Sequence, residues 1–327
     1  MGKTIIVSDV HMSDENQQYA WFTKECIAPF YHFLSTILGD TSNSEVVLLG
    51  DIFDTWLYPV DIVPLTYGEI IRKYSSITDL FKNSQNKKTY YICGNHDITI
   101  TQKDLEILGI ELISYEDFNK SHSSWHLEHG NAVDLFNAPD ISGSPLAGLP
   151  LGYYITRLAA SASEKSNRNI KNDLYEWLIE NMQKVNFDDD SIIISGIIDF
   201  LALRAGIDPD TTLIRFSDSS IDNKYYVKDI KQHYSKLIPN WYKLDPHNIL
   251  NSALAGILND GLDWYANLMQ QKRENSSYQY IIFGHTHYGK VSNKYINDGC
   301  WCCSPNNFNP TYIEIDEQGK AVLKKWS

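Results

Sequence analysis

Tyr280-Ile281-Ile282-Phe283-Gly284-His285-Thr286-His287 decides how this chain is read. Four apolar or aromatic residues in a row predict a buried strand. A glycine then turns the chain, and two imidazoles follow with one residue between them. Residues two apart on an extended segment project to the same side, so His285 and His287 can face one polar centre at a strand tip.

The same design recurs in four other stretches. Residues 4–7 lead into Asp9 and His11, and residues 45–49 into Gly50-Asp51-Ile52-Phe53-Asp54. Residues 89–93 lead into Gly94-Asn95-His96-Asp97, and residues 124–128 into His129-Gly130. His126 competes with His129 in the last stretch; His129 is preferred because it precedes glycine at the strand tip. Asp97 reads as a turn-stabilising carboxylate. Helices are predicted between these strands, over about 21–38 and 67–83, and a hairpin is predicted over 311–323.

Apolar strands that alternate with helices predict an α/β sheet, with ligands gathering beyond the carboxyl ends of the strands. The pattern stops from about Asp134 to Ser277. Helices are predicted there over about 153–163, 171–185, 192–204 and 247–271, which makes 134–277 a mostly helical cap inserted into a core of 1–133 and 278–327. Asp199 and Arg204 interrupt the apolar run 191–207, which reads as a buried helix and not a membrane span.

Carboxylates, an amide oxygen and several imidazoles suit Mn²⁺, Fe²⁺ or Zn²⁺, whereas Ca²⁺ and Mg²⁺ sites use oxygen without histidine. There are too many ligands for one ion. Two ions ~4 Å apart, bridged by one carboxylate, would use them all. Asp51 is the natural bridge, since its backbone turns at Gly50.

A net charge of −13 and a pI near 5.2 argue against a nonspecific nucleic-acid surface, so no duplex partner is expected. Five cysteines cannot close a disulfide framework, and no signal peptide precedes the first strand; reduced thiols in the cytoplasm are expected.

Together, Asp9-Val10-His11, Gly50-Asp51-Ile52-Phe53-Asp54, Gly94-Asn95-His96-Asp97, His129-Gly130 and Gly284-His285-Thr286-His287 resemble the calcineurin-like metallophosphoesterases, with all five family blocks in family order. The likeness covers roughly 1–131 and 280 onward. It implies a β-sandwich flanked by helices, a four-layer αββα core carrying the helical cap. It also implies that Asp9, His11, Asp51 and His287 hold a first metal, and that Asp51, Asn95, His129 and His285 hold a second. By the same likeness a metal-activated hydroxide attacks phosphorus, His96 contacts phosphate and protonates the leaving oxygen, and Asp54 orients His96. Arg157, at the start of the cap, is a further candidate for the phosphate. The implied substrate is a small phosphorylated molecule, nucleotide-linked or lipid-linked. The alternatives are a metal-binding scaffold without turnover and a nuclease.

Within the family, the first two blocks and the insertion after His129-Gly130 are similar to the UDP-2,3-diacylglucosamine hydrolases. Those enzymes generally carry arginine at the position of His96 and aspartate at that of Asn131. Asp54-Thr55-Trp56 differs from the Asp-Arg-Gly of the Ser/Thr protein phosphatases.

Overall fold

The structure is a computed structural model. It describes residues 2–15, 19–84, 87–122, 124–139, 146, 148–167, 170–182, 191–234, 255–256, 259–273, 278–293, 295–303 and 308–327. The first part of the helix expected over 247–271 lies outside them.

Two sheets form the centre. The first contains β1 (Lys3–Val7), β2 (Asn43–Leu49), β3 (Lys88–Ile92) and β4 (Glu111–Leu112), all parallel. The second contains β5 (Trp125–Leu127), β6 (Tyr280–Phe283), β7 (Lys290–Val291) and β8 (Ile296–Asn297), in the order β5-β6-β8-β7. The C-terminal hairpin, β9 (Thr311–Ile315) and β10 (Ala321–Lys325), completes the first sheet by pairing antiparallel with β1, for an order β10-β9-β1-β2-β3-β4.

The apolar runs exist because both faces of these strands are buried. Ile5, Val7, Val46, Leu48 and Tyr91 face one helical layer. That layer holds α1 (Lys24–Gly39), α2 (Tyr67–Lys73) and α3 (Ser75–Lys82). In α1 the buried positions Cys26, Phe30, Phe33, Leu34, Ile37 and Leu38 follow the helical period. The helix expected over 67–83 breaks at Tyr74, where ψ is 32°. The intervening residues Ile6, Val47, Leu49 and Ile92 turn inward and meet Leu127, Ile282 and Ile296 of the second sheet. Short helices α4 (Gln102–Glu106) and α5 (Tyr115–Ser121) flank β4 and β5.

Within 134–277, the expected cap, lie α6 (Leu151–Ser166), α7 (Lys171–Met182), α8 (Ser191–Ala205) and α9 (Val227–Tyr234). Its apolar core includes Tyr154, Leu158, Ile198, Leu201 and Ile230, and it takes in Trp56 and Val60 from the loop after β2. The expected insertion is not uniform. α10 (Asp263–Arg273) packs through Ala266, together with Leu262 just before it, against Ile281 and Phe283, so it forms the fourth layer, on the outer face of the second sheet. Among the described residues no helix is long and apolar enough to cross a membrane.

Candidate dinuclear metal centre

The loops leaving β1, β2, β3, β5 and β6 converge at one edge. Backbone hydrogen bonds weld the first two: Asp9 N–H donates to Gly50 O at 3.1 Å, and Val10 and His11 both donate to Asp51 O at 2.9 Å. The reason adjacent ligands share a centre differs from the extended geometry expected. Asp9, His11, Asp51, His285 and His287 all have φ between 53° and 71°, and they are five of the seven non-glycine positive-φ residues described. The ligand pairs therefore sit on left-handed bends past the strand ends. Asp, Asn and His tolerate that conformation better than most side chains. Gly284 keeps the last loop against the first: a Cβ there would come 2.5 Å from Ser8 Oγ and 2.8 Å from Asp9 Oδ2.

The donor atoms form two overlapping groups around Asp51. Asp9 Oδ1 lies 3.2 Å from His287 Nε2 and 3.8 Å from His11 Nε2, and the two imidazole nitrogens are 3.0 Å apart. Asp51 Oδ2 is 3.9 Å from His11 Nε2 on one side and 3.1 Å from His129 Nε2 on the other. Asp51, His129 and His285 bring ligand atoms within 4.8 Å of one another, as do Asp9, His11 and Asp51.

Four imidazoles each spend one ring nitrogen on an outer partner. His11 Nδ1 is 2.8 Å from Asp54 Oδ2, His129 Nδ1 is 2.7 Å from Leu49 O, and His285 Nε2 is 2.9 Å from Asp134 Oδ2. His287 Nδ1 is 3.7 Å from Cys302 Sγ. Such partners fix the tautomer and rotation of a ligating ring. Asp9 Oδ1, Asn95 Oδ1 and His129 Nε2 are buried without a hydrogen-bond partner. Orphaned buried acceptors are costly, and a cation is what this donor set would satisfy. The clustered carboxylates and imidazoles fit a divalent metal ion.

Electrostatics point the same way. Burial pushes the His11 imidazole down, yet its hydrogen bond to Asp54 and the nearby Asp9 and Asp51 carboxylates raise its pKa to about 10. His129 behaves alike: burial opposes protonation, the charges of Asp51 and Asp9 outweigh it, and the result is about 10. Burial alone would raise the carboxyls of Asp51 and Asp54, but the facing imidazoles hold both well below the usual range.

His96 sits between the loops. Its backbone N–H donates to Asp51 Oδ1 at 2.8 Å, its Nδ1 lies 2.9 Å from Asp54 Oδ2, and its ring stacks on Trp56 at 4.0 Å between centroids. Burial lowers its pKa against the pull of Asp54 and Asp51. Asp54 thus lies between His11 and His96, while its Oδ1 accepts the Trp56 N–H at 2.7 Å. Asp97 accepts from the backbone of Ile52 and Gly94, both at 2.8 Å, which is a structural role. His126 pairs with Glu128 at 3.1 Å and stays out of the donor cluster.

Arg157 does not reach the site, contrary to expectation. It is fully buried, with Nε donating to Tyr58 O at 3.2 Å and Nη2 to Pro59 O at 2.6 Å, and with further bonds to Ile62 O and Arg215 O. Its guanidinium is consumed in tying α6 to the loop after β2.

Several site residues were not marked by the sequence. Trp21, expected within a helix, lies before α1 and packs over the centre, 4.7 Å from His11 and 5.2 Å from His287 between ring centroids. Trp56 carried no periodic signal. A cavity of about 210 Å³ rises from Asp51, Asn95, His96, His285 and His287. Trp21 and Leu57 also line it, as do Ile155, Ala159, Ala160 and Ser163 of α6 and Ile170 and Leu174 beyond it.

A two-sheet α/β core with Asp, Asn and His converging at the strand ends is the build of a metallophosphoesterase. The chain belongs to the calcineurin-like phosphoesterase family, whose model matches residues 2–289. A UDP-2,3-diacylglucosamine hydrolase from Coxiella burnetii (strain Dugway 5J108-111) is 24% identical over 139 residues, 42% of this chain and 45% of that protein. The chain thus spans under half the length of that curated relative. The crystal structure of Pseudomonas putida nuclease MPE is similar with a TM-score of 0.25 and 18% identity, covering 39% of this chain and 54% of that one.

Proposed function

We propose that this chain is a metal-dependent phosphohydrolase that cleaves a phosphomonoester, phosphodiester or pyrophosphate bond of a small substrate held beneath the cap. The single observation that carries this reading is the donor arrangement. Four imidazoles are locked from outside, and Asp9, Asn95 and His129 turn unpartnered atoms inward. Asp9, His11, Asp51 and His287 would hold one ion, and Asp51, Asn95, His129 and His285 the other. Bound Mn²⁺, Fe²⁺ or Zn²⁺ ions would supply nucleophilic water near neutral pH and charge neutralisation on the phosphoryl oxygens.

The chain's own groups do the rest. His96 lines the cavity floor, where an incoming phosphoryl anion favours its cationic form, so the ring can deliver a proton to the leaving oxygen. Asp54 and Trp56 hold that ring from the side and the face. The α6 face offers Ile155, Ala159 and Ala160 to an apolar part of the substrate. A lipid-linked substrate, the class named by the Coxiella relative, suits that face. A scaffold without turnover has no use for an imidazole so held.

The test is hydrolysis of bis-p-nitrophenyl phosphate and p-nitrophenyl phosphate with added Mn²⁺. Activity is expected from the wild-type chain and not from Asp51→Ala or His287→Ala. Turnover that survives both substitutions refutes the site.

A further inference from the structure

We infer that Asp134 is a positioning residue that fixes the ring of His285, so that Nδ1 faces the second ion position; this rests on the dinuclear reading above. Asp134 is buried at the end of a short 3-10 turn, Asn131–Val133, that follows His129-Gly130. Its carboxylate is shared between two tasks. Oδ1 accepts the Phe136 N–H at 2.9 Å and closes the turn that leads toward the cap. Oδ2 lies 2.9 Å from His285 Nε2 and accepts Asn137 Nδ2 at 2.7 Å. Gly256 backs this pair closely, because a Cβ there would come 2.6 Å from Asp134 Oδ2 and 2.8 Å from His285 Nε2.

The consequence is chemical. A neutral imidazole ligand donates its outer N–H and ligates through the other nitrogen. His11 and His129 give Nδ1 to their outer partners and turn Nε2 inward. His285 does the reverse, since Asp134 takes Nε2. A second ion would therefore meet Nε2 of His129 and Nδ1 of His285, and Asp134 would be the group that sets the latter. Asn137 carries the linkage outward: it bonds Asp134, lines the cavity, and packs against Gly152 in the first turn of α6. Nothing in the strand-and-tip pattern marks Asp134, which sits where that pattern stops.

The test is a Mn²⁺ titration of the metal-stripped full chain, followed by electron paramagnetic resonance, on wild type, Asp134→Asn and Asp134→Ala. Asparagine keeps an oxygen for the Phe136 N–H but turns an amide NH₂ toward an imidazole N–H, so it separates the two tasks once the Asn137 amide turns over to offer its oxygen to that NH₂. Outer partners of this kind contribute ~10–100-fold to metal affinity. Wild type is expected to bind two ions and to show an exchange-coupled signal. Asp134→Asn is expected to bind one ion as wild type does and the other ~10–100-fold more weakly, with an isolated Mn²⁺ signal and an unchanged metal-free Tm. Two ions bound with wild-type affinity in Asp134→Asn overturn the inference. So does equal weakening of both ions together with a lowered metal-free Tm, which assigns Asp134 to the turn alone. Should Asp134→Ala not fold, the asparagine variant decides. A wild-type chain that binds fewer than two ions overturns the dinuclear reading itself, a result distinct from the others.

Discussion

Loading the centre with Mn²⁺ near pH 7.5 is expected to expel about two protons per chain, because ligating imidazoles must be neutral. The number comes from the structure: the carboxylates around His11 and His129 raise both pKa values to about 10, so both rings are cationic in the metal-free protein at that pH. Each ion that seats on one of them displaces its proton. The overall binding constant should therefore climb ~100-fold per pH unit through the neutral range. Calorimetry in buffers of different ionisation enthalpy reads the proton count directly as the slope of observed heat against buffer enthalpy. Stability against pH gives a second measurement. A histidine whose folded pKa is raised stabilises the fold fully below its ordinary value near 6.5 and loses that contribution as pH approaches about 10. The metal-free Tm should fall across this interval, while the loaded protein, whose rings are already neutral, should not follow it. Heats independent of buffer, or an affinity flat between pH 6 and 9, would refute the reasoning.

His96→Gln should lower turnover of an alkyl phosphate by ~10²–10⁴-fold and that of a p-nitrophenyl ester much less, because the better leaving group needs no proton; equal losses on both would argue for a structural role. Arg157→Ala should destabilise the fold by at least ~3 kcal/mol, since it strands several buried carbonyls at ~1–3 kcal/mol each. A changed KM with an unchanged Tm would instead return Arg157 to the substrate. Trp56→Ala removes a side chain buried between the cap core and His96. It should cost ~3–5 kcal/mol by denaturant unfolding.

Sheet and site were legible to different depths, for physical reasons. Strands such as Ile5–Val7, Val46–Leu49 and Ile281–Phe283 announce themselves because both faces are buried, so alternation gives way to an unbroken apolar run. The residues at their tips were legible because tip chemistry recurs. Periodicity could not show how those residues converge: Asp9, His11, His285 and His287 are brought together by left-handed bends, a backbone property that side-chain spacing does not encode. Residues that act through a neighbour were also hidden. Asp134 and Trp56 touch imidazoles across 151 and 40 positions of sequence, and such contacts leave no local pattern. Arg157 shows the opposite failure. A lone arginine near a phosphate site invites a functional reading, yet here backbone carbonyls and the Tyr153 hydroxyl claim the guanidinium.

The five left-handed bends also bear on how the centre breathes. A non-glycine residue held there costs on the order of 1 kcal/mol or more, so these short loops are tensioned against the sheets behind them. Ions that grip the side chains from the front would clamp what the strands restrain from the rear. When a chelator strips the ions, amide deuterium uptake should rise first at residues 9–11, 51 and 285–287, while the amides of β1, β2 and β6 a few residues away stay protected.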